Sequence, residues 1–222
     1  MRYVMSNDKE MLARLWELQT KVNMMISDGK REAKPLVDFL QGFMSKPARK
    51  WHEVGGVIYT QVVSDGKTGL EWADYFKSKG IFFGDDANRV LLSKDFKPTK
   101  GVITEIAILP GLLFESPDHR TNKLIRADAS RRKLRALDIE IACLLRKKFT
   151  DKDIRAMGLS WIIAMHNPVK IDSGDPRLMH VSTVGGGDIL ETCTGSPSAK
   201  MARLAGFAFE VIPKRATRPF IG

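Results

Sequence analysis

The segment from His166 to His180, HNPVKIDSGDPRLMH, brings histidine and aspartate side chains close together in the chain. Imidazole nitrogens and carboxylate oxygens bind divalent metals, so His166, Asp172 and Asp175 form a candidate metal site. Such a site would make the protein a small metal-dependent hydrolase. Asp, Ser, Gly and Pro are also typical turn residues, and DSGDP equally predicts the turn that follows a buried strand. The sequence leaves both interpretations open and favours the turn.

The segment DHRTNKLIRADASRRKLR has the densest positive charge in the chain. Helical spacing places Lys123, Arg126 and Lys133 near one face, which favours sequence-neutral contact with the phosphates of nucleic acid. A basic helix, a turn at RALD and a second, apolar helix resemble a helix-turn-helix in outline. The alternative is a solvated helix face, since no aromatic residues interleave with the charges to stack on bases. With the basic tail, the candidate nucleic-acid-binding residues are Arg120, Lys123, Arg126, Arg131, Arg132, Lys133, Arg135, Lys214, Arg215 and Arg218.

Other catalytic patterns are weak. TVGGGDI has a run of glycines, but it lacks both the phosphate-binding pattern GxxxxGK[ST] and the dinucleotide fingerprint GxGxxG. The chain contains 4 histidines and no GxSxG nucleophile motif. Cys143 and Cys193 lack a CxxC partner, and we interpret both as unreactive free thiols. The sequence therefore favours a non-catalytic protein without a cofactor over an enzyme.

The composition is that of a globular protein with an excess of positive charge. The chain has 222 residues, of which 43% are hydrophobic and 28% charged, and its formal net charge is +10. This charge favours polyanionic partners such as nucleic acid, although solubility alone can use it. No apolar run is long enough to span a bilayer, and the N-terminus lacks the apolar core of a secretory signal. We therefore expect no membrane contact and a cytoplasmic location.

The first part of the chain, residues 1–46, predicts a helical hairpin. Apolar side chains recur at the spacing of one helix face, at Met11, Leu15, Leu18, Val22 and Met25. Pro35 then suits the first turn of a second amphipathic helix. Two short helices cannot bury their apolar faces alone. We expect residues 7–44 to dock on the rest of the chain, on a second copy in a homodimer, or on a protein partner.

After a linker at residues 47–55 the pattern changes to strands and helices. GVIYTQVVS, GVITEIAIL and LSWIIAMH predict strands, and the second is apolar on both faces, as is typical of a central strand. Capping residues and apolar spacing predict helices in TGLEWADYFKSKG, in DDANRVLLS and between Arg120 and Met157. PRLMHVST, DILETCT and GFAFEVI predict shorter strands.

This order of elements predicts an α+β fold, because strands and helices do not alternate as in βαβ winding. We expect a mixed α+β domain at residues 56–213 that follows the N-terminal helical hairpin and ends in an antiparallel strand meander. A basic tail at residues 214–222 completes the chain.

Several segments together resemble a group of hypothetical proteins that are frequent in genomes of small uncultured bacteria. They are GLEWADYFKSKG, ANRVLLSKDFKPTKGV, EIACLLRKKFTDKDIRAMGLSWIIAMHNPV, DSGDPRL and GFAFEV, and the resemblance covers residues 56–213 and, more loosely, the N-terminal hairpin. It implies no activity, cofactor or site residue. The chain departs from the group in having IDSGD where relatives carry a more acidic loop, and in lacking Trp and Tyr in its final strands.

These observations lead to competing functional hypotheses. The first is non-catalytic binding of nucleic acid through the basic helix. The second is protein interaction or ligand binding through the N-terminal hairpin and the C-terminal loops. The third is metal-dependent hydrolysis at the loop of His166, Asp172 and Asp175.

Overall fold

The computed structural model describes residues 49–183 and 187–212, together with Glu17, Thr20 and Met24. The chain divides into two compact units, Met1–Arg49 and Lys50–Gly222. In the first unit the described residues Glu17, Thr20 and Met24 are helical, and Arg49 is not. The remainder of the expected hairpin, with its dimer or partner surface, lies outside the described residues, and so do Lys214, Arg215 and Arg218 of the tail.

The second unit has a mixed α+β fold, which confirms the predicted class. Its described helices are α1 (Gly69–Ser78), α2 (Asp85–Leu91), α3 (Asn122–Arg131), α4 (Glu140–Lys148) and α5 (Asp151–Ala156). Its described strands are β1 (His52–Val54), β2 (Val57–Asp65), β3 (Phe82–Phe83), β4 (Lys100–Pro110), β5 (Leu134–Arg135), β6 (Trp161–Ala164), β7 (Val169–Lys170), β8 (Pro176–Ser182), β9 (Ile189–Thr194) and β10 (Ala205–Val211). None of the described helices has the length and apolar character needed to cross a membrane.

Local capping fixes the ends of two helices. At α1 the Thr68 hydroxyl accepts a hydrogen bond from the Glu71 backbone, and the Glu71 carboxylate accepts one from the Thr68 N–H at 2.7 Å. Thr150 and Asp153 form the same reciprocal pair at α5. Gly80 follows α1 with φ of +64°, a left-handed conformation that favours glycine. Because these signals involve only neighbouring residues, the predicted helix ends agree with the structure.

All the described strands belong to one mixed sheet in the order β1-β2-β4-β10-β6-β8-β9-β3, with β5 beside β10 and β7 beside β8. The expected C-terminal meander needs correction. β8 and β9 pair antiparallel, but β10 inserts between β4 and β6 and runs parallel to β6. Residues 205–209 are buried, as is typical of a central strand. The alternation of a strand does not identify its neighbours, so the sequence missed this crossover.

The sheet has two faces, and we name each after the helices that pack on it. On the helical face, α1, α2, α4 and α5 pack over a large core that contains Trp72, Phe76 and Phe149. On the opposite face, α3 packs through Ile125 and Ala129 against β4 and β10. We call this second side the α3 face.

The middle of the sheet is covered on both sides. Ile106 and Ile108 of β4 belong to the core of the helical face, whereas Ala107 and Leu109 belong to that of the α3 face. The predicted double cover of GVITEIAIL therefore holds for this half of β4. The first half of the strand is mostly exposed, and Ile103 has 65% of its surface accessible.

The outline of a helix-turn-helix in the basic region is not formed. Between α3 and α4 the chain enters β5, which pairs with Glu210 and Val211 of β10. As a result, α3 contributes to the core of one face of the sheet and α4 to the core of the other.

Candidate functional site

The basic segment of residues 120–135 is bonded largely to the protein itself. Arg120 is only 7% exposed. Its Nε donates to the carbonyl oxygen of Met201 at 3.3 Å, and its Nη1 donates to that of Phe114 at 3.1 Å. This arginine therefore connects the start of α3 to the segment before β10.

Arg126 has a similar internal role. Its Nη1 and Nη2 donate to the carbonyl oxygens of Met165 and His166, at 3.2 and 2.6 Å. Burial lowers the pKa of its guanidinium. The side chain thus ties α3 to the chain just beyond β6, and its charge is not presented to solvent like that of a surface arginine.

The remaining arginines of the segment form ion pairs. Arg131 and Arg132 both bond to Asp128, at 3.0 and 2.7 Å. Arg135 bonds to Glu210 through both carboxylate oxygens, at 2.7 and 2.5 Å. These pairs neutralise much of the positive charge that the sequence displays.

Lys123 and Lys133 are different, because both are exposed and no ion pair joins them to another described residue. Lys133 also has φ of +61°, a left-handed conformation that is uncommon for a residue with a side chain. Of the expected phosphate-binding residues in the basic helix, these two lysines are the ones that the structure leaves available.

His166 is a core residue with 1% of its surface exposed. Its Nδ1 lies 2.7 Å from the carbonyl oxygen of Asn167 and donates to it, and its Nε2 accepts a hydrogen bond from the N–H of Met179 at 2.9 Å. Burial lowers the pKa of the imidazole to about 4, so the ring is neutral at neutral pH. Both nitrogens are occupied by backbone groups and neither is available to a metal.

Asp172 and Asp175 lie in the turn that follows. The carboxylate of Asp172 is 90% exposed and lies 3.7 Å from Nε of Arg89. The Asp175 N–H bonds to the Ser173 hydroxyl, as expected of a turn. In the part of the chain that the structure describes, no three His, Cys, Asp or Glu side chains are grouped to hold a metal ion. The structure therefore does not bring the predicted metal ligands together.

A different constellation lies on the α3 face, over strands β6, β8 and β9. In the strand register, Ile163 is opposite His180, and His180 is opposite Glu191. Trp161 is opposite Ser182 on the same strands. Because directly opposed side chains point to the same face of a sheet, these residues share one surface. They line a cavity of about 590 Å³, which we call the open-face pocket, and this volume is typical of small-ligand sites.

The far wall of the pocket is the segment between β9 and β10, which includes Lys200 and Met201. This wall is fastened to the start of α3. The side-chain amide of Asn122 donates to the carbonyl oxygens of Thr194 and Ser196, at 3.2 and 2.9 Å. The Arg120–Met201 bond described above provides a second attachment. The buried polar residues of α3 thus position one side of the pocket.

His180 is a largely enclosed polar residue of the pocket, with a side chain 11% exposed. Burial lowers its pKa to about 4, so it is neutral at neutral pH. Its Nε2 lies 4.0 Å from Oε2 of Glu191, too far for a hydrogen bond. Its Nδ1 is covered and has no hydrogen-bond partner among the described residues. Because Nδ1 is covered, Nε2 is the ring nitrogen that a ligand in the pocket can reach.

Glu191 gives the pocket a negative charge. Its side chain is 42% exposed, so it lies at the mouth rather than in the floor. Lys200, on the wall, bonds to Asp118 at 2.7 Å in an ion pair whose two side chains are both largely exposed. Glu191 also borders an adjoining cavity of about 280 Å³ that is lined by Asp85 and Asp86. The mouth of the pocket on this side is therefore acidic in a chain that is basic as a whole.

The cysteines are not arranged for nucleophilic chemistry. Both are free thiols, as expected. Cys193 borders the pocket, but burial raises its pKa to about 12. Cys143 is fully buried in α4, and burial raises its pKa well above the ordinary value. Because the thiolate is the reactive form, neither residue is activated for attack on a substrate.

Sequence reasoning missed Trp161, His180 and Glu191 as a group. Each lies on a separate strand, and only the sheet register brings them together. A weak signal was present, since PRLMHVST places His180 and Ser182 at alternate positions of an otherwise apolar strand. Alternation of this kind shows a shared face but not what that face contacts.

No protein-family model matches this chain, and no curated protein or solved structure was found to be similar to it. The resemblance to hypothetical bacterial proteins stays a prediction.

Proposed function

We propose that this protein is a non-catalytic binding protein that takes a small molecule into the open-face pocket. The observation that carries the proposal is the convergence of the His180 imidazole, the Trp161 ring and the Glu191 carboxylate on one cavity of about 590 Å³. A concave, mainly apolar surface with a few converging polar groups is the usual form of a ligand site.

The position of the pocket in the sheet also supports binding. Solvent-facing sheet surfaces normally carry polar side chains. Here the partly buried side chains at the pocket include Trp161 and Cys193, which pack against the edge of the core that Ile163 shares with α3. A ligand would complete the cover that the described residues leave open at this edge.

The absence of catalytic character agrees with binding rather than turnover. The thiol of Cys193 is protonated, and His180 forms no hydrogen bond to a hydroxyl or thiol among the described residues. Nucleophilic catalysis requires a base within hydrogen-bond reach of its nucleophile. The site holds groups that can orient a ligand, but it lacks an activated nucleophile.

A screen of small aromatic compounds by amide chemical shifts tests this proposal. We expect compounds that bind to shift the amide signals of β6, β8 and β9. Trp161→Ala should weaken their affinity by at least about tenfold, because an aromatic contact surface is lost. Ile103→Ala is a matched control, since it truncates an exposed apolar side chain of the same sheet away from the pocket. The proposal fails if no compound binds, or if Trp161→Ala and Ile103→Ala bind equally.

Binding of nucleic acid is a second candidate, supported by the net charge of +10 and the exposed side chains of Lys123 and Lys133. The double variant Lys123→Glu/Lys133→Glu should weaken binding to a duplex oligonucleotide and reduce its dependence on salt. Arg126→Glu is not a suitable test, because this change breaks two bonds to backbone carbonyls. Binding that is equal at low and high salt would contradict this candidate.

A further inference from the structure

We infer that the open-face pocket selects a small aromatic molecule that carries one positive charge, such as an aryl-alkyl ammonium. This inference rests on the proposed function and adds the chemical class of the ligand. Its basis is the juxtaposition of an unpaired carboxylate, a neutral imidazole and an indole around one cavity.

The charge of the ligand follows from the ion pairs around the mouth. Lys200, the basic side chain of the wall, is bonded to Asp118. The carboxylate of Glu191 has only the imidazole of His180 as an ion-pair neighbour among the described residues, and that ring is neutral at neutral pH. Glu191 therefore lacks a cation, and a ligand that supplies one gains a charge-assisted contact.

The adjoining cavity adds negative charge beside Glu191. Asp86 pairs with Arg89 and Arg177, at 3.4 and 3.1 Å, so its charge is balanced within the protein. Asp85, on the same rim, adds a further carboxylate without an ion pair to another described residue. An anionic ligand would meet like charge on this side, whereas a cation would not.

The spacing of the polar atoms suits a nitrogen donor. Nε2 of His180 and Oε2 of Glu191 are 4.0 Å apart. An ammonium with two N–H groups can approach both atoms at ordinary hydrogen-bond distances of about 2.8–3.0 Å. A neutral imidazole can accept one such bond at Nε2, and the carboxylate can accept the other.

The apolar part of the ligand is defined by Trp161 and Ile163. The centroids of the Trp161 and His180 rings are 6.4 Å apart. Ile163, on β6 opposite His180, lines the pocket beside them. An indole favours a second ring against its face or edge, and it also attracts a cation held nearby. A single aromatic ring linked to an ammonium by a short chain satisfies both contacts.

The test compares three ligands of similar shape, namely phenethylammonium, 2-phenylethanol and 3-phenylpropionate, titrated into the full chain at neutral pH and followed by amide chemical shifts. We expect the ammonium to bind tightest and the carboxylate weakest. Since the chain carries +10, long-range attraction favours the anion, so a preference for the cation has to come from the pocket.

Variants locate the source of that preference. Glu191→Gln should weaken the affinity for phenethylammonium about threefold to tenfold, as expected for a half-exposed charge contact. The affinity for 2-phenylethanol should not change. Asp172→Asn removes an exposed carboxylate that does not line the pocket, and it should change the affinity for neither ligand.

The outcomes separate the inference from the proposed function. Equal affinity for all three ligands, or a cation preference that survives Glu191→Gln, overturns the inference and leaves the pocket a neutral ligand site. If none of the three ligands shifts the amides of β6, β8 and β9, both are overturned.

Discussion

The two faces of the sheet are built from the same strands but are completed differently. Four helices cover the helical face, and Trp72 and Phe76 are almost fully enclosed there. On the other side, α3 covers only part of the surface and leaves Trp161 half-buried beside the open-face pocket. Since side chains alternate along each strand, one set of residues supplies stability and the other is available for binding.

Two histidines show the same contrast at the level of single groups. His166 and His180 are both buried and both have a pKa lowered to about 4 by burial. His166 bonds to the backbone through both nitrogens, whereas His180 has no hydrogen-bond partner for Nδ1 among the described residues. The first is held in place by the fold through both nitrogens, whereas the Nε2 of the second lies 4.0 Å from Glu191 Oε2 at the pocket.

Truncation of one aromatic residue on each face should give the largest difference. Phe76→Ala should lower the free energy of unfolding by about 3–5 kcal/mol, because it leaves a cavity in the enclosed core. Trp161→Ala should cost less than about 2 kcal/mol, since its ring is already partly in contact with water. Urea denaturation of both variants measures this. Equal losses would show that Trp161 is an ordinary core residue.

His166 and His180 should each make the fold less stable as the pH falls below neutral. Their folded pKa of about 4 lies below the ordinary 6.5, so the unfolded chain binds more protons between these values. Stability is therefore complete above pH 6.5 and falls as the pH drops towards 4, by roughly 3 kcal/mol for each histidine. Denaturation at several pH values between 7 and 4.5 measures the slope.

Substitution of each histidine sharpens the comparison. Both His166→Leu and His180→Leu should remove about half of that slope. At pH 7, however, His166→Leu should cost about 2 kcal/mol because the Met179 N–H loses its acceptor. His180→Leu should leave stability equal or raise it, because an unpaired buried nitrogen is removed. A large loss in His180→Leu at pH 7 would contradict this account.

A smaller effect is expected at the wall of the pocket. Arg120→Ala should destabilise the fold by about 1–2 kcal/mol, because two backbone carbonyls lose a buried charged donor. Arg131→Ala is the matched control, since that side chain is 73% exposed and should change stability by less than about 0.5 kcal/mol. Thermal unfolding of both variants measures the difference. If the two changes have equal effects, Arg120 does not fasten the wall.

The smallest effect should come from Glu191→Gln. The side chain is 42% exposed and has no close ion pair among the described residues, so stability should change by less than about 0.5 kcal/mol. A loss above about 1 kcal/mol in urea denaturation would mean that Glu191 supports the fold rather than a ligand.

Much of the local structure could be predicted from the sequence. Thr68 with Glu71 and Thr150 with Asp153 mark helix starts through bonds between near neighbours, and alternation identified the main strands. The partners of β10 were not predictable, because its apolar pattern suits any central position in a sheet. The α+β class was therefore accessible, and the order of strands was not.

The site was less accessible for the same physical reason. The charge of Arg120 and Arg126 is visible in the sequence, but their acceptors lie on distant carbonyls of Met201, Met165 and His166. A cluster of basic residues therefore suggested a partner where the fold provides one internally. The pocket, conversely, depends on a register between strands that no local pattern encodes.

The most direct test of the central claim is a map of the amides that shift when phenethylammonium is added to the full chain. We predict that the shifts concentrate on residues 161–163, 180–182 and 191–194, and that amides of the helical face around Phe76 do not move. Shifts spread over the basic segment of α3, or no shifts at saturating ligand, would contradict the assignment of the open face as the binding surface.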